Sequence, residues 1–348
     1  MTAYRVALSA DFLTPAGTLA LADFDLTPLR TEPNVEIGYV HAVDDIIPAS
    51  ELEAYDALIL FAHQMREQSL HANGRLGVVA RFGVGYDSVD VEALASAGVA
   101  TTITPGGVQR PVAVAILALI LALSNKLLAK DRLARCGIEG FTDPSAPIGT
   151  GLTGKRLGTI GLGNIASDMV NIMRPLGLEF IAHDPAVSAD HARELGVTLV
   201  DLDAVFRDSD IVTVNCPLTP ETRGLVNADR LALMKKSAIL INTARGPIVD
   251  QSALTDALRN GRLAGAGLDV FSPEPPQADD LLLKLDNVVL APHSLAMTDE
   301  LIRDCGALTI QSVLDVMHGR EPKAIVQRSV VSHPTWPGRL KRNRARFG

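Results

Sequence analysis

The stretch Leu157-Gly158-Thr159-Ile160-Gly161-Leu162-Gly163-Asn164-Ile165-Ala166 constrains this chain more than any other. Residues of apolar, β-favouring character run into Gly161-x-Gly163-x-x-Ala166, and a helical pattern continues through Met169, Ile172 and Met173. That is a strand, a tight glycine turn and a helix N-terminus, where backbone N–H groups and the helix dipole can meet a pyrophosphate. Alone, such a fingerprint is a weak signal. The next element strengthens it. Glu179-Phe180-Ile181-Ala182-His183 reads as a second strand, and Asp184 ends it 21 residues after Gly163. An acid there suits ribose hydroxyls and repels a 2′-phosphate, so NAD is expected rather than NADP.

With 348 residues the chain has room for two domains, each with its own core. A net charge of −8 argues against a nucleic-acid partner. The basic residues gather in a tail, Arg339 to Arg346 with Lys341, Arg342 and Arg344, expected to be solvated and frayed. Cys136, Cys216 and Cys305 are scattered and odd in number, which suits a reducing compartment. Met1-Thr2-Ala3-Tyr4-Arg5 leads directly into a strand-like Val6-Ala7-Leu8, so no secretory signal is read and the cytoplasm is the default. The wholly apolar run Val112–Leu123 covers 12 residues, short for a membrane span. It fits a helix buried between domains or subunits.

Strands are expected at Arg5–Ser9, Val35–Val40, Ala57–Phe61, Gly77–Arg81 and Val99–Thr101. Helices are expected at Ser50–Ala54, Ser69–Asn73 and Asp90–Ala97. This alternation implies a parallel sheet with covering helices. Thr104-Pro105-Gly106-Gly107 reads as a turn into the long apolar helix, with Pro111 in its first turn, and a Gly/Pro-rich link follows from Gly137 to Gly154. A second alternating series runs from the glycine loop through strands at Ile211–Asn215, Ile239–Asn242, Ala264–Val270 and Val288–Leu290. Its helices are read near Ala189–Leu195, at Ala228–Met234 and at Gln251–Asn260. The last long helix, Leu301–Met317, is expected to return to the first domain. The chain thus divides into residues 1–105 with 299–335, an inserted domain 106–298 and a basic tail 336–348.

Strand ends feed the ligand crevice of an open α/β sheet. Three of them carry an arginine in Asn242-Thr243-Ala244-Arg245-Gly246, acids in Leu268-Asp269-Val270-Phe271-Ser272-Pro273-Glu274, and a histidine in Ala291-Pro292-His293. Arg245, Glu274 and His293 could converge in one cleft. No metal-ligand spacing is present.

With Phe82-Gly83-Val84-Gly85-Tyr86-Asp87, Thr104-Pro105-Gly106 and Pro217-Leu218-Thr219-Pro220-Glu221-Thr222, these motifs resemble those of the D-isomer-specific 2-hydroxyacid dehydrogenases. The likeness runs from about Ala57 to about Val326. It implies two doubly wound α/β domains, a flavodoxin-like substrate domain with an inserted Rossmann NAD-binding domain, and a homodimer. It also implies NAD-dependent hydride transfer between a small D-2-hydroxy acid and its 2-oxo acid. Arg245 is similar to the arginine that clamps the substrate carboxylate, a task suited to a planar fork of donors. His293 resembles the proton donor, paired with Glu274, which orients the ring and favours imidazolium. Val84 and Gly85 would hold the carboxylate through backbone N–H groups. Asn164 and Ile165 would lie by the pyrophosphate with Gly161 and Gly163, Cys216 and Thr243 along the cofactor, and Asp269 facing the nicotinamide. His63, after a first-domain strand, is a candidate substrate contact.

The chain departs from the family pattern at Asn164, where an arginine is common, and at Val114, where a glutamate is usual. Ser294-Leu295-Ala296-Met297 also departs, after the histidine. These differences bear on substrate more than on reaction. Two other readings stay open: a dinucleotide-sensing, corepressor-like interaction protein on this fold, and a phosphite-type dehydrogenase.

Overall fold

Runs such as Ala57-Leu58-Ile59-Leu60 and Val78-Val79-Ala80 have no polar face, so they serve as strands only where both sides of a sheet are covered. All seven of these residues are at 0% exposure. In the computed structural model, which describes residues 3–71, 74–145 and 147–348, they lie inside a five-stranded parallel sheet. Its strands are β1 (Tyr4–Ser9), β2 (Val35–Val40), β3 (Ala57–Leu60), β4 (Val78–Arg81) and β5 (Ala100–Thr102). Their order, β2-β1-β3-β4-β5, is the flavodoxin-like one. This sheet belongs to a compact unit of Met1–Val108 and Thr298–Gly348, in which the helix Asp299–Met317 packs on β3 and β4.

The second unit, Gln109–Met297, holds seven parallel strands. They are β6 (Arg156–Ile160), β7 (Glu179–His183), β8 (Val197–Leu199), β9 (Ile211–Val214), β10 (Ile239–Asn242), β11 (Gly265–Leu268) and β12 (Val288–Leu290). The order β12-β11-β10-β9-β6-β7-β8 is the Rossmann arrangement extended by one strand. The winding reverses between β6 and β9, and the glycine loop leaves β6 at that point.

Several expectations change. The helix Pro105–Ser124 begins at Pro105, so Thr104–Gly107 is its entry rather than a separate turn, and Pro111 lies inside the helix rather than in its first turn. Pro111 has no N–H to offer the preceding turn. Packing compensates: Ala113, Ile116, Leu119, Ile120 and Leu123 share one core with Leu157, Met169 and Met173. At 20 residues this helix is long and apolar enough to cross a membrane, and half of its apolar window is buried in the protein.

The expected helix Ser69–Asn73 is instead a 3-10 turn at Glu67–Ser69, with Ala72 and Asn73 outside the described residues. Met1 and Thr2, and Ala146 of the expected link, also lie outside them. That link contains a short helix, Ile138–Phe141, preceded by another at Leu127–Arg135 that buries none of its residues and so carries no core-facing signal.

The basic tail is not frayed. Thr335–Phe347 is a helix whose Trp336 is 1% exposed, and Asn343 Nδ2 donates to Val316 O at 2.8 Å. Trp336, Leu340, Asn343 and Phe347 recur at helical spacing between the charges, and that stripe binds the helix to the first unit.

Candidate active site

In the second unit the glycine loop is shaped by residues on β6 and after β9. Thr159 Oγ1 donates to Gly161 O at 2.8 Å, and Asn215 Nδ2 donates to Thr159 Oγ1 at 2.9 Å. Gly161 has φ +92°, and a side chain there would come within 2.9 Å of the Asn215 carbonyl and the Cys216 nitrogen. Glycine is therefore required where this loop crosses the end of β9. Gly163 differs. It opens the helix Asn164–Met173, and a Cβ added to it would meet nothing within 4 Å. Gly163 and Asn164 are exposed and Ile165 half-buried, so the helix N-terminus is open to an anion.

Asp184, at the end of β7, accepts from Leu162 N at 2.8 Å and from Ala186 N at 2.9 Å. A carboxylate has about four acceptor positions, so two bonds to the backbone leave capacity for ribose hydroxyls. Burial pushes the Cys216 thiol up to about 11, so it stands beside the glycine loop as a neutral group. These residues fit a dinucleotide.

The arginine turn follows β10. Asn242, 1% exposed, accepts from Ala244 N at 3.0 Å and donates through Nδ2 to Arg245 O at 3.0 Å. Both bonds set the shape of Thr243-Ala244-Arg245. A Cβ on Gly246 would stand 1.7 Å from Phe271 O, so only glycine lets this turn approach the strand-end segment carrying Glu274. Glu274 Oε2 accepts from Phe271 N at 3.0 Å, and Oε1 meets His293 Nδ1 at 2.5 Å. Burial pushes the Glu274 carboxyl up. The His293 and Phe271 hydrogen bonds, with the charges of His293 and Arg245, outweigh it and hold the group below its ordinary value. An ionised Glu274 only accepts, so Nδ1 carries the hydrogen and Nε2 is left for a reacting partner.

His293 itself lies in the left-handed region, φ +54°. For a residue other than glycine this costs roughly 1–2 kcal/mol, and the surroundings must enforce it. Asp269 does so. It is 4% exposed; Oδ1 accepts from Ser294 N at 3.0 Å and Oδ2 from Leu295 N at 3.2 Å. Burial holds its carboxyl above the ordinary value despite those bonds. Asp269 thus braces the turn immediately after the histidine.

In the first unit, the loop after β4 holds Gly83, Val84 and Gly85. Thr104 grips it twice: its Oγ1 accepts from Gly83 N at 3.0 Å, and its N donates to Gly83 O at 3.0 Å. The same hydroxyl donates to Cys305 Sγ at 3.1 Å. His63, after β3, pairs through Nδ1 with Asp45 Oδ1 at 2.8 Å.

Thr159, Asn215 and Asp45 support the candidate residues without marking themselves in the sequence, whereas Thr104 stands in the Thr104-Pro105-Gly106 motif. Buried hydroxyls and amides in apolar strands carry no motif. Among the described residues no cluster of three His, Cys, Asp or Glu side chains could hold a metal ion.

A Rossmann sheet with an open glycine turn and an acid after its second strand defines a dinucleotide-binding protein. The comparisons are more specific. The family model described as "D-isomer specific 2-hydroxyacid dehydrogenase, NAD binding domain" matches residues 117–294. The chain is 36% identical over 278 residues to a glyoxylate reductase of Korarchaeum cryptofilum, covering 79% of this chain and 84% of that protein. It is also 36% identical over 270 residues to a D-3-phosphoglycerate dehydrogenase of Archaeoglobus fulgidus, covering 77% of this chain and 51% of that longer protein. The chain thus spans about half the length of that phosphoglycerate dehydrogenase. A solved protein of Thermus thermophilus superposes with a TM-score of 0.81 at 31% identity, over 93% of this chain and 100% of that one. The NAD-complexed D-isomer specific 2-hydroxyacid dehydrogenase of Lactobacillus delbrueckii ssp. bulgaricus superposes at 0.73 with 26% identity, over the same 93% and 100%.

The chain belongs to the D-isomer-specific 2-hydroxyacid dehydrogenase family, and its second unit is that family's NAD-binding domain.

Proposed function

We propose that this protein is a cytoplasmic NAD-dependent oxidoreductase that interconverts a small D-2-hydroxy acid and its 2-oxo acid. The observation that carries the reading is the His293–Glu274 pair, 2.5 Å apart, on a left-handed turn braced by a buried Asp269. A ring held by Nδ1 presents Nε2 to one reacting atom. In reduction the carbonyl oxygen gains a proton, and protonated His293 gives it up from Nε2. In oxidation neutral His293 takes the hydroxyl proton, and Glu274 stabilises the charge that forms. NAD(H), when bound, supplies or accepts the hydride at the substrate carbon.

Arg245, whose Nη1 donates to Ala244 O at 2.7 Å, would offer its planar guanidinium to the substrate carboxylate, and the N–H groups of Val84 and Gly85 are proposed to bind it as well. Gly161, Gly163, Asn164 and Ile165 would hold the pyrophosphate and Asp184 the ribose, with Cys216 and Thr243 beside the cofactor. Asp269 is assigned to positioning His293 beside the nicotinamide. The second unit exposes Val114, Leu121, Leu127, Leu128, Ile138 and Phe141 within one stretch of chain, which supports a homodimer formed through it.

The test is NADH oxidation followed by absorbance against glyoxylate, hydroxypyruvate, pyruvate, phenylpyruvate and 2-oxoglutarate, with NADPH in parallel. Turnover of at least one acid with NADH preferred is expected. NADPH preference would overturn the role given to Asp184, and silence across the panel with NADH still bound would overturn the reaction.

A further inference from the structure

The first unit contains a second histidine–carboxylate pair, and strand register places it beside the loop assigned to the substrate carboxylate. In β3 and β4, Leu60 lies opposite Arg81, and Phe82 N donates to Leu60 O at 2.8 Å. The loops continue side by side. The rings of Phe61 and Phe82 have centroids 5.8 Å apart, and Met65 N donates to Ser88 O at 2.9 Å. Three residues beyond Leu60 stands His63, and three beyond Arg81 stands Val84. Beyond Leu60 and Arg81 the offset between the two segments grows from 21 to 23 residues at Met65 and Ser88, so the loop that carries His63 stays next to the loop that carries Val84 and Gly85.

His63 is built to stay in place. Its backbone N–H and that of Ala62 both donate to Asp11 Oδ2, at 3.0 and 2.7 Å. Its Nδ1 pairs with Asp45 Oδ1 at 2.8 Å, and Gln64 Nε2 donates to the other oxygen of Asp45 at 2.9 Å. Asp44 and Asp45, at φ +49° and +65°, are the central residues of a two-residue hairpin turn closed by Val43 and Ile46, a turn that takes positive φ at both positions. The His63 side chain remains 24% exposed, so it is reachable.

The chemistry of the pair selects its ligand. The Asp45 carboxylate only accepts, so Nδ1 carries the hydrogen. Nε2 is then a bare acceptor when the ring is neutral and an N–H donor when it is charged. A hydroxyl satisfies both states, because it donates and accepts. A methyl group satisfies neither, and an anionic substituent satisfies only the charged ring.

We infer that His63, positioned by Asp45, is the specificity-determining residue of this active site and takes a hydroxyl group on C3 of the 2-oxo acid. This rests on the reading that the Val84–Gly85 loop binds the substrate carboxylate. A polar site that loses its partner discriminates far more strongly than an apolar one.

The test compares kcat/KM for hydroxypyruvate and pyruvate, which differ by that hydroxyl alone. The wild-type protein favours hydroxypyruvate by at least about tenfold. In His63→Ala the ratio falls at least tenfold, whatever happens to the absolute rates. His63→Gln, which still donates and accepts, keeps more of the ratio than His63→Ala does. Asp45→Ala lowers the ratio, and Asp45→Asn, which preserves an oxygen facing Nδ1, restores part of it. Thermal melting and NADH binding of each variant confirm that it is folded. A wild-type ratio near one, or a ratio unmoved in folded His63→Ala, overturns the inference and leaves the dehydrogenase reading intact. No turnover of any 2-oxo acid overturns both.

Discussion

The C-terminal edges of the two sheets each carry a histidine tied through Nδ1 to a carboxylate, His293–Glu274 at 2.5 Å and His63–Asp45 at 2.8 Å. They differ in which partner sits at positive φ. In the second unit the histidine is left-handed, at φ +54°, while Glu274 is anchored by Phe271 N. In the first unit the acid is left-handed, at φ +65°, while His63 is anchored by Asp11. The first arrangement leaves one ring nitrogen open with a counter-charge beside the ring. The second holds a ring whose acid sits in a hairpin turn. On the roles proposed above, similar side-chain chemistry would serve proton transfer in one place and recognition in the other.

The sharpest division between the pairs comes from removing each ring. His293→Ala is expected to lower kcat about 10²- to 10⁴-fold, with the NADH dissociation constant from fluorescence titration little changed. A loss no larger than that of His63→Ala would erase the distinction. Next in size is Arg245→Lys, which keeps the charge but loses the planar fork. Its KM for the oxo acid should rise about tenfold or more. Smaller again is Thr104→Val, which removes the hydroxyl gripping Gly83. One hydrogen bond near 1 kcal/mol corresponds to about a fivefold rise in KM, and Thr104→Ser should restore it.

The smallest effect concerns acid stability. Glu274 and Asp45 are both held below their ordinary carboxyl values. Each therefore contributes stability above about pH 4, and that contribution is lost as pH falls through the depressed value. Glu274→Gln and Asp45→Asn should each flatten the fall of Tm below about pH 4. An unchanged acid limb would mean that the pairs do not hold their carboxylates in solution.

Much of the fold is legible in the sequence because strands in a covered parallel sheet are short apolar runs bounded by turn residues. β2, β10 and β12 begin and end where the pattern places them. β8 and the helix Leu202–Asp208 leave little trace, being a three-residue strand and a helix under two turns long. The tail misleads because its many charges mask a sparse apolar stripe. At the candidate site, Arg245, Glu274 and His293 stand at strand ends, where topology alone directs attention. Asp45 is 18 residues from its histidine with no motif between them, and its role depends on a left-handed loop that composition does not announce. Asp269 is conspicuous by its position at a strand end, whereas its bonds to Ser294 and Leu295 emerge only in three dimensions.

The configuration of the product tests the central claim most directly. Hydroxypyruvate reduced by the protein with NADH should give glycerate that is entirely the D isomer on a chiral column. An L or racemic product would contradict the assignment of His293 and Arg245 as the groups that orient and protonate the substrate.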